Sequence, residues 1–387
     1  MAIAVDRDFI VTTLQELVRI NSVNPDLDPS GPGEAAIGDY VEQLCRGLGL
    51  EVHRHEPQPG RVSVVARLAG HGGGRSLMLN AHYDTVGVAE MPEPFSGAVR
   101  EGRLYGRGSY DMKGSLAACL GAAKALEDSG RRPAGDLLIA AVADEEVASL
   151  GTADLLRHYR PDAAIVTEPT ALQLCRAHKG FVWLQVTTQG RAAHGSQFDQ
   201  GIDANLHMGR VLAALAHLEA ELRRRPAHPL VGPPSLHAAT LAGGSGMSTY
   251  AASCRLGIER RTIPGETTAQ VVAEVQALLA PLRTADPNFH ADLEVLLDRP
   301  PFEVAAGSPI VQALETAATG ILGSPPPHVG ENPWMDSALL AAAGIDTVVF
   351  GPAGAGAHAK EEWVELESVV QLAEVLAEAT LGYCGGS

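Results

Sequence analysis

The chain has 387 residues, more than one hydrophobic core usually holds, so two domains are expected. Hydrophobic residues make up 45 % of the sequence and charged residues 19 %, as in ordinary soluble globular proteins. The formal net charge of −17 argues against binding to nucleic acid or to anionic membrane surfaces, because both partners require basic patches.

The first part of the chain alternates between predicted helices and apolar strands. Helices are predicted in the first twenty residues, at Glu34–Leu48, after Asp111 and around "GTADLLRHY". Strands are predicted at "RVSVVARL", "RSLMLNAH", "DLLIAAVA" and "DAAIVTE". Fully apolar strands that alternate with helices favour a mostly parallel sheet with helices on both faces, the α/β class.

The pattern changes near Lys179. Predicted strands and helices then follow in the order β-α-β-β-α-β, which is the split βαβ arrangement of ferredoxin-like α+β domains. After Pro300 the α/β pattern resumes, with an apolar helix and the strand "DTVVF". The sequence therefore predicts an α/β domain made of residues 1–178 and 297–387, interrupted by an inserted domain at 179–296.

Cysteine usage and the N-terminal segment indicate a cytoplasmic protein. The five cysteines are scattered and form no C-x-x-C pair, so neither a disulfide framework nor a cysteine zinc site is expected. The N-terminal segment carries acidic residues early, which is typical of an amphipathic helix and not of a signal peptide. No apolar run approaches the ~20 residues of a membrane span.

Acidic residues and histidines follow the ends of the predicted α/β strands. They are His82, Asp84, Glu145, Glu146, Glu168 and His358, with Asp111 in a loop that enters a helix. Sites in open α/β sheets form beyond the carboxyl ends of the strands, so these side chains are expected at one edge.

Histidine nitrogens and carboxylate oxygens without thiolates suit zinc, cobalt or manganese. One ion needs about three protein ligands, and this set offers more, which favours a site for two metals. As ligands, Asp111, Glu146 and Glu168 supply three negative charges, and a bridging hydroxide adds a fourth. Two divalent cations balance these charges, with zinc expected and cobalt or manganese as alternatives.

Six segments in chain order resemble one known family. They are "HYDTV", "GRGSYDMKG", "ADEE", "TEPT", "RAAHGS" and "GAHAKEEWV". This series resembles the M20 metallopeptidases, which include acetylornithine deacetylases, succinyl-diaminopimelate desuccinylases, aminoacylases and carboxypeptidases. The resemblance extends over nearly the whole chain, and it implies a zinc-dependent hydrolase of linear amide or peptide bonds.

The resemblance implies a role for each metal ligand. Asp111 would bridge both metals, His82 and Glu168 would complete one of them, and Glu146 and His358 would complete the other. It also implies a cis peptide bond after Asp111.

The resemblance further implies that Glu145 is the general base beside its metal-binding neighbour Glu146. Successive strand residues point to opposite sides, so two neighbours could take different roles where the strand ends. Asp84 would orient His82 through the second ring nitrogen. A bridging water would attack the amide carbonyl, and Glu145 would pass its proton to the leaving amine.

The inserted domain would supply further residues. His194 in "RAAHGS" matches a histidine that donates to the developing oxyanion, often across a dimer interface, so a homodimer through this domain is expected. Arg261 in "IERRTIPG" matches an arginine that binds the substrate carboxylate, and strand alternation sends Arg260 to the opposite face. Asp203 departs from the family pattern, which often has Asn there. The glycine loop with Gly351, Gly354 and Gly356 is expected to approach the substrate closely.

Three alternatives stay open from the sequence. The substrate can be an N-acyl amino acid, as for acetylornithine deacetylases, or a dipeptide or peptide C-terminus. A protein of another class, a non-catalytic amino-acid or peptide binder on this fold, would lack metal. The segment "GAGAHA" is also similar to a dinucleotide fingerprint, but too little chain follows it. The sequence contains no G-x-S-x-G motif, so a serine hydrolase is not expected.

Overall fold

The computed structural model describes residues 3–88 and 90–385. The chain divides into two compact units. The first takes the chain up to Arg176, then Val304–Val329, and then the chain from Met335 onward. The second takes Ala177–Glu303 and Gly330–Trp334, so it extends beyond the expected 179–296.

The elements have the following bounds. The helices are α1 (Arg7–Arg19), α2 (Ala35–Gly47), α3 (Gly114–Ser129), α4 (Leu150–His158), α5 (Ala204–Leu222), α6 (Thr268–Ala285), α7 (Pro309–Leu322), α8 (Ser337–Ala342) and α9 (Leu366–Cys384). The strands are β1 (Glu51–Gln58), β2 (Arg61–Leu68), β3 (Leu77–His82), β4 (Ala98–Arg100), β5 (Arg103–Tyr105), β6 (Leu137–Val142), β7 (Ala163–Val166), β8 (Leu174–His178), β9 (Gly180–Gln189), β10 (Ser235–Gly243), β11 (Ser253–Thr262), β12 (His290–Arg299), β13 (Phe302–Glu303), β14 (His328–Glu331), β15 (Asp346–Val349), β16 (Gly354–Ala355) and β17 (Trp363–Glu365).

The first unit is built on a mixed sheet with the order β1-β2-β6-β3-β7-β15-β8. Its centre, β6-β3-β7-β15, is parallel, whereas β1, β2 and β8 join it antiparallel. Every residue of β3, β6 and β7 is buried, because these apolar strands have helices over both faces. The predicted α/β class with a parallel core is confirmed.

Several elements of the first unit were not predicted, and for two groups of them the physical reason is clear. Strand β1, "EVHRHEPQ", lies at the edge of the sheet and is mostly exposed, so it lacks the apolar run that identified its neighbours. A small antiparallel sheet with the order β16-β17-β5-β4 consists of strands of two or three residues, too short for periodicity to detect.

The second unit follows the predicted β-α-β-β-α-β order. Its four strands form an antiparallel sheet with the order β10-β11-β9-β12, and α5 and α6 contact this sheet and each other. Alternate residues of β9 and β11 are buried in a separate core with residues of both helices. Asp203 is the N-cap of α5 and accepts a hydrogen bond from the Asn205 backbone N–H at 2.9 Å.

Among the described helices, none combines the length and apolar character that crossing a membrane requires.

Candidate metal centre

Strand ends and loops of the first unit deliver the polar residues of the candidate centre. His82 is the last residue of β3, and Glu168 follows β7. Glu145 and Glu146 lie in the turn after β6. Asp111 lies in a distorted turn, residues 109–113, directly before α3. His358 lies in the loop after β16.

The structure brings the five expected metal ligands together in two groups that share Asp111. In one group, His82 Nε2 lies 3.1 Å from Asp111 Oδ1 and 3.4 Å from Glu168 Oε1. In the other, His358 Nε2 lies 3.4 Å from Asp111 Oδ2 and 3.0 Å from Glu146 Oε2. The two oxygens of Asp111 therefore face different histidines, so this carboxylate could bind two cations.

Glu362 holds the turn that carries Asp111. Its Oε1 accepts hydrogen bonds from the backbone N–H groups of Tyr110 and Asp111, at 3.0 and 3.1 Å. Its Oε2 pairs with Arg107 Nη1 at 2.6 Å, and Arg107 Nη2 donates to the carbonyl of Ala359 at 2.9 Å. The peptide bond after Asp111 is cis, as the sequence resemblance predicted.

The paired glutamates lie in a turn, so the argument from strand alternation was wrong. Strand β6 ends before Asp144, whose φ of 69° lies in the left-handed region. Asp84 holds this turn, because its carboxylate accepts from the backbone N–H groups of Glu145 and Glu146 at 3.0 and 3.3 Å. The nearest partner of His82 Nδ1 is the backbone carbonyl of Asp84 at 3.0 Å, whereas the Asp84 carboxylate is 3.5 Å away.

A buried charge network lies behind this turn. Arg61, the first residue of β2, pairs with Asp144 and with Glu34, whose Oε2 lies 2.9 Å from Arg61 Nε. The Arg61 side chain is 6 % exposed, and both acids are fully buried. Asn24 Nδ2 donates to Asp84 at 2.8 Å and to Asp144 at 3.0 Å. Sequence reasoning did not identify this network, because its members come from distant segments without a shared motif.

The electrostatics of the centre favour cations. Burial raises the pKa of Glu168 to about 8, and the neighbouring Asp111 and Glu146 contribute to this shift. Hydrogen bonds to Asp111 and Glu146 raise the pKa of His358 to about 10. Burial, followed by the charge of Glu168, also raises the pKa of Glu145 well above its usual range. Crowded buried carboxylates repel one another unless positive charge compensates them.

His194 lies in the second unit, exposed, in the segment between β9 and α5. Its Nδ1 lies 2.8 Å from Ser196 Oγ, and the backbone N–H of Ser196 donates to the same nitrogen at 3.3 Å. A nitrogen that accepts from an amide carries no proton, so the proton of the neutral ring is on Nε2. His194 can therefore donate a hydrogen bond through Nε2.

The two neighbouring arginines of β11 have different surroundings. Arg260 is fully buried and pairs with Glu266 at 2.6 Å and Glu274 at 3.3 Å. The Arg261 side chain is 33 % exposed, and its Nε lies 2.8 Å from Glu259 Oε1. Only the second guanidinium is accessible to a ligand.

The three loop glycines have close neighbours within the first unit. A Cβ at Gly351 would lie 2.2 Å from the carbonyl oxygen of Glu168, and one at Gly356 would lie 1.9 Å from that of Glu361. The φ of Gly356 is also 89°. A Cβ at Gly354 would meet a backbone oxygen at 2.4 Å. Close packing of the chain on itself therefore already requires glycine at these positions.

Comparisons with known proteins found one matching family and several similar proteins. The family described as "Peptidase family M20/M25/M40" matches residues 78–381 of the chain. An acetylornithine deacetylase of Myxococcus xanthus is 30 % identical over 97 % of both chains. An N-formyl-4-amino-5-aminomethyl-2-methylpyrimidine deformylase of Halalkalibacterium halodurans is 29 % identical over 96 % of this chain and 94 % of its own. The aminopeptidase PepT of Bacillus cereus has a similar structure, with a TM-score of 0.81, 18 % identity and 98 % and 99 % coverage of the two chains.

Proposed function

Because the chain belongs to the peptidase family M20/M25/M40, we propose that it is a two-metal amidohydrolase that removes the acyl group from an N-acyl amino acid. One observation carries the proposal. Asp111 directs its two oxygens to His82 and His358, and each histidine has its own second carboxylate. The similarity to acetylornithine deacetylases over almost the full length supports an acylated amino acid as the substrate.

The residues of the centre fit two divalent cations. His82 and Glu168 would hold one cation, Glu146 and His358 would hold the other, and Asp111 would bind both. The nitrogen and oxygen donors suit zinc, with cobalt or manganese as alternatives. When bound, the cations supply Lewis acidity, which lowers the pKa of a water molecule and polarises the amide carbonyl.

Glu145 belongs to neither ligand group, so its carboxylate is available for proton transfer. It takes a proton from the attacking water while the water oxygen bonds to the amide carbon. It then gives this proton to the amine nitrogen as the carbon–nitrogen bond breaks. Asp84 fixes the position of Glu145 through its backbone N–H.

Two residues of the second unit complete the proposed reaction. His194 donates from Nε2 to the negative charge that develops on the carbonyl oxygen, the task of an oxyanion donor. Arg261, the accessible arginine of its pair, binds the substrate carboxylate. We propose that the second unit acts as a lid and as the contact of a homodimer, and that the protein acts in the cytoplasm.

A second candidate function has its own support. The deformylase of Halalkalibacterium halodurans is almost as similar as the deacetylase, and its name describes an N-formyl aminopyrimidine substrate. The structural similarity to PepT and to human carnosine dipeptidase 1 is a reason to test dipeptides as substrates as well.

The test is hydrolysis by the zinc-loaded protein of three substrate sets: N-acetyl amino acids, N-formyl aminopyrimidines and dipeptides. The proposal expects the highest kcat/KM for an N-acetyl amino acid, and no turnover by the Glu145→Gln variant. The highest kcat/KM for either other set would replace the substrate assignment. If the protein binds amino acids, binds no metal and hydrolyses none of the substrates, it is a non-catalytic binding protein.

A further inference from the structure

A further cluster of side chains that could hold a metal ion lies on the first unit and shares no residue with the proposed hydrolytic centre. Asp154 and His158 are one turn apart on α4, so they share a face of the helix. His55 lies on β1, the edge strand that α4 contacts. One ligand atom of each residue lies within 4.8 Å of the other two.

These side chains surround a gap that hydrogen bonds do not span. His55 Nδ1 lies 3.8 Å and His158 Nε2 lies 3.9 Å from the same atom, Asp154 Oδ2. Direct N–H···O bonds end near ~3.2 Å. Ligands at ~2.1 Å from one tetrahedral ion lie about 3.4 Å apart, so the two histidine–aspartate distances need to shorten by only a few tenths of an ångström. The half-exposed ring of His158 can make this movement.

The surroundings favour a metal ligand at His55. Its Nε2 lies 2.9 Å from the hydroxyl of Tyr159, which leaves Nδ1 for the gap. Metal-binding histidines usually have such a partner on the second nitrogen. Burial lowers the pKa of His55, and the charge of His158 adds to this, which favours the neutral ring that a metal ligand requires.

The position on α4 also suits a cation. Asp154 and His158 are in the last two turns of the helix, where the carbonyl end of the dipole attracts positive charge. Arg157 faces the other oxygen of Asp154 at 3.8 Å and is 78 % exposed, so Oδ2 stays available.

We propose that His55, Asp154 and His158 bind a third divalent transition-metal ion, of which Zn²⁺ is the best match for two imidazoles and one carboxylate. Water completes the coordination. The ion links the edge strand β1 to α4, the helix that follows the turn with Glu145 and Glu146.

The test counts ions per chain. The wild type and the variants His158→Ala, Asp154→Asn and His53→Ala are dialysed to equilibrium against rising, buffered concentrations of free Zn²⁺, and zinc and protein are then measured. His53 is the matched control, because it lies two residues before His55 on β1, is exposed, and bonds to Glu51. The wild type and His53→Ala are expected to bind one ion per chain more than the other two variants.

The same comparison in a Glu146→Gln background separates this site from the proposed catalytic centre. In that background, His53→Ala must still bind one zinc ion per chain more than His158→Ala or Asp154→Asn, whatever the total number of ions bound. Zn²⁺ must also raise the melting temperature of His53→Ala more than that of His158→Ala, because a ligand of the folded state stabilises it. Equal ion counts for the wild type, His158→Ala and Asp154→Asn at every Zn²⁺ concentration would overturn the proposal.

Discussion

Glu145 and Glu146 are adjacent in the chain, yet their side chains have different surroundings. Glu146 Oε2 lies 3.0 Å from His358 Nε2 in one ligand group, whereas Glu145 belongs to neither group. Both backbone N–H groups are held by the carboxylate of Asp84. One substitution in this pair should therefore affect proton transfer, and the other should affect metal binding.

The first prediction separates the two roles. Glu145→Gln keeps the shape of the side chain but removes its basic carboxylate, so kcat should fall by ~10²–10⁴-fold. The variant should retain the zinc content of the wild type. Glu146→Gln should instead lose zinc, since it removes a charged ligand. Steady-state kinetics with elemental analysis measures both quantities, and the reverse pattern would exchange the two assignments.

At the level of residues, the sequence predicted which side chains would meet at the candidate centre better than it predicted the residues that position them. His82, Asp111, Glu146, Glu168 and His358 each belong to a short quoted segment, and all five meet in the structure. Glu362, the acid that holds the Asp111 turn, lies far along the chain, in "GAHAKEEWV". Its pairing could not be derived, because motifs give residue types but not the contacts between distant loops.

That acid, Glu362, gives the second prediction. Glu362→Gln loses the ion pair with Arg107 and weakens the anchor of the Asp111 backbone. Residues that orient metal ligands typically change metal affinity by ~10–100-fold, so the zinc dissociation constant should rise by that factor. Competition with a chelator measures it. Glu361→Gln is the control, since Glu361 is exposed, and its affinity should be that of the wild type. Equal zinc affinities for Glu362→Gln and Glu361→Gln would show that Glu362 does not position Asp111 for metal binding.

At the level of elements, apolar strands and amphipathic helices were predictable and the polar edge was not. Burial of β3 and β6 on both faces demands continuous apolar runs, which are visible in the sequence. Strand β1 pairs with only one neighbour and is mostly exposed, so its sequence is under no such demand. Glu145 and Glu146 were expected where the strand ends, and the turn that carries them was not foreseen, because its left-handed residue, Asp144, leaves no periodic signal.

Strand β2 gives the third prediction, because its two arginines lie in different environments. Arg61→Met leaves the buried acids Glu34 and Asp144 without their cation, which should cost about 3–5 kcal/mol. Arg67→Met breaks pairs of a side chain that is 38 % exposed, and should cost at most about 1 kcal/mol. Urea unfolding of both variants measures the free energies. Equal losses would show that the Arg61 network contributes no more than a surface pair.

At the level of the whole molecule, the surface of the second unit suits association. Several large apolar side chains are exposed there: Phe198 is 80 % exposed, Leu206 67 %, Leu241 58 % and Met247 fully. Its sheet also has two free edges, β10 and β12, in the order described. Such surfaces favour pairing, and a two-fold dimer is the most frequent result.

The fourth prediction is that His194 of one protomer serves the centre of its partner. His194→Ala should keep its zinc and lower kcat by the ~10²–10³-fold typical of a lost oxyanion donor. A mixture of Glu145→Gln and His194→Ala chains should regain part of the activity after subunit exchange, because each hybrid dimer has one complete site. If exchange occurs and activity does not return, the histidine acts within its own chain or has no catalytic role.

The order of strands in the main sheet constrains when the centre can form. Strand β15 lies between β7 and β8, although β7 and β8 follow each other in the chain and β15 comes after the second unit. A ribosome that has just finished the second unit has completed that unit's core, but it has made neither β15 nor His358. Until β15 is made, one edge of β7 and one edge of β8 lack the neighbour that they have in the folded sheet. The proposed two-metal centre can therefore be complete only after β15 and His358 have been synthesised.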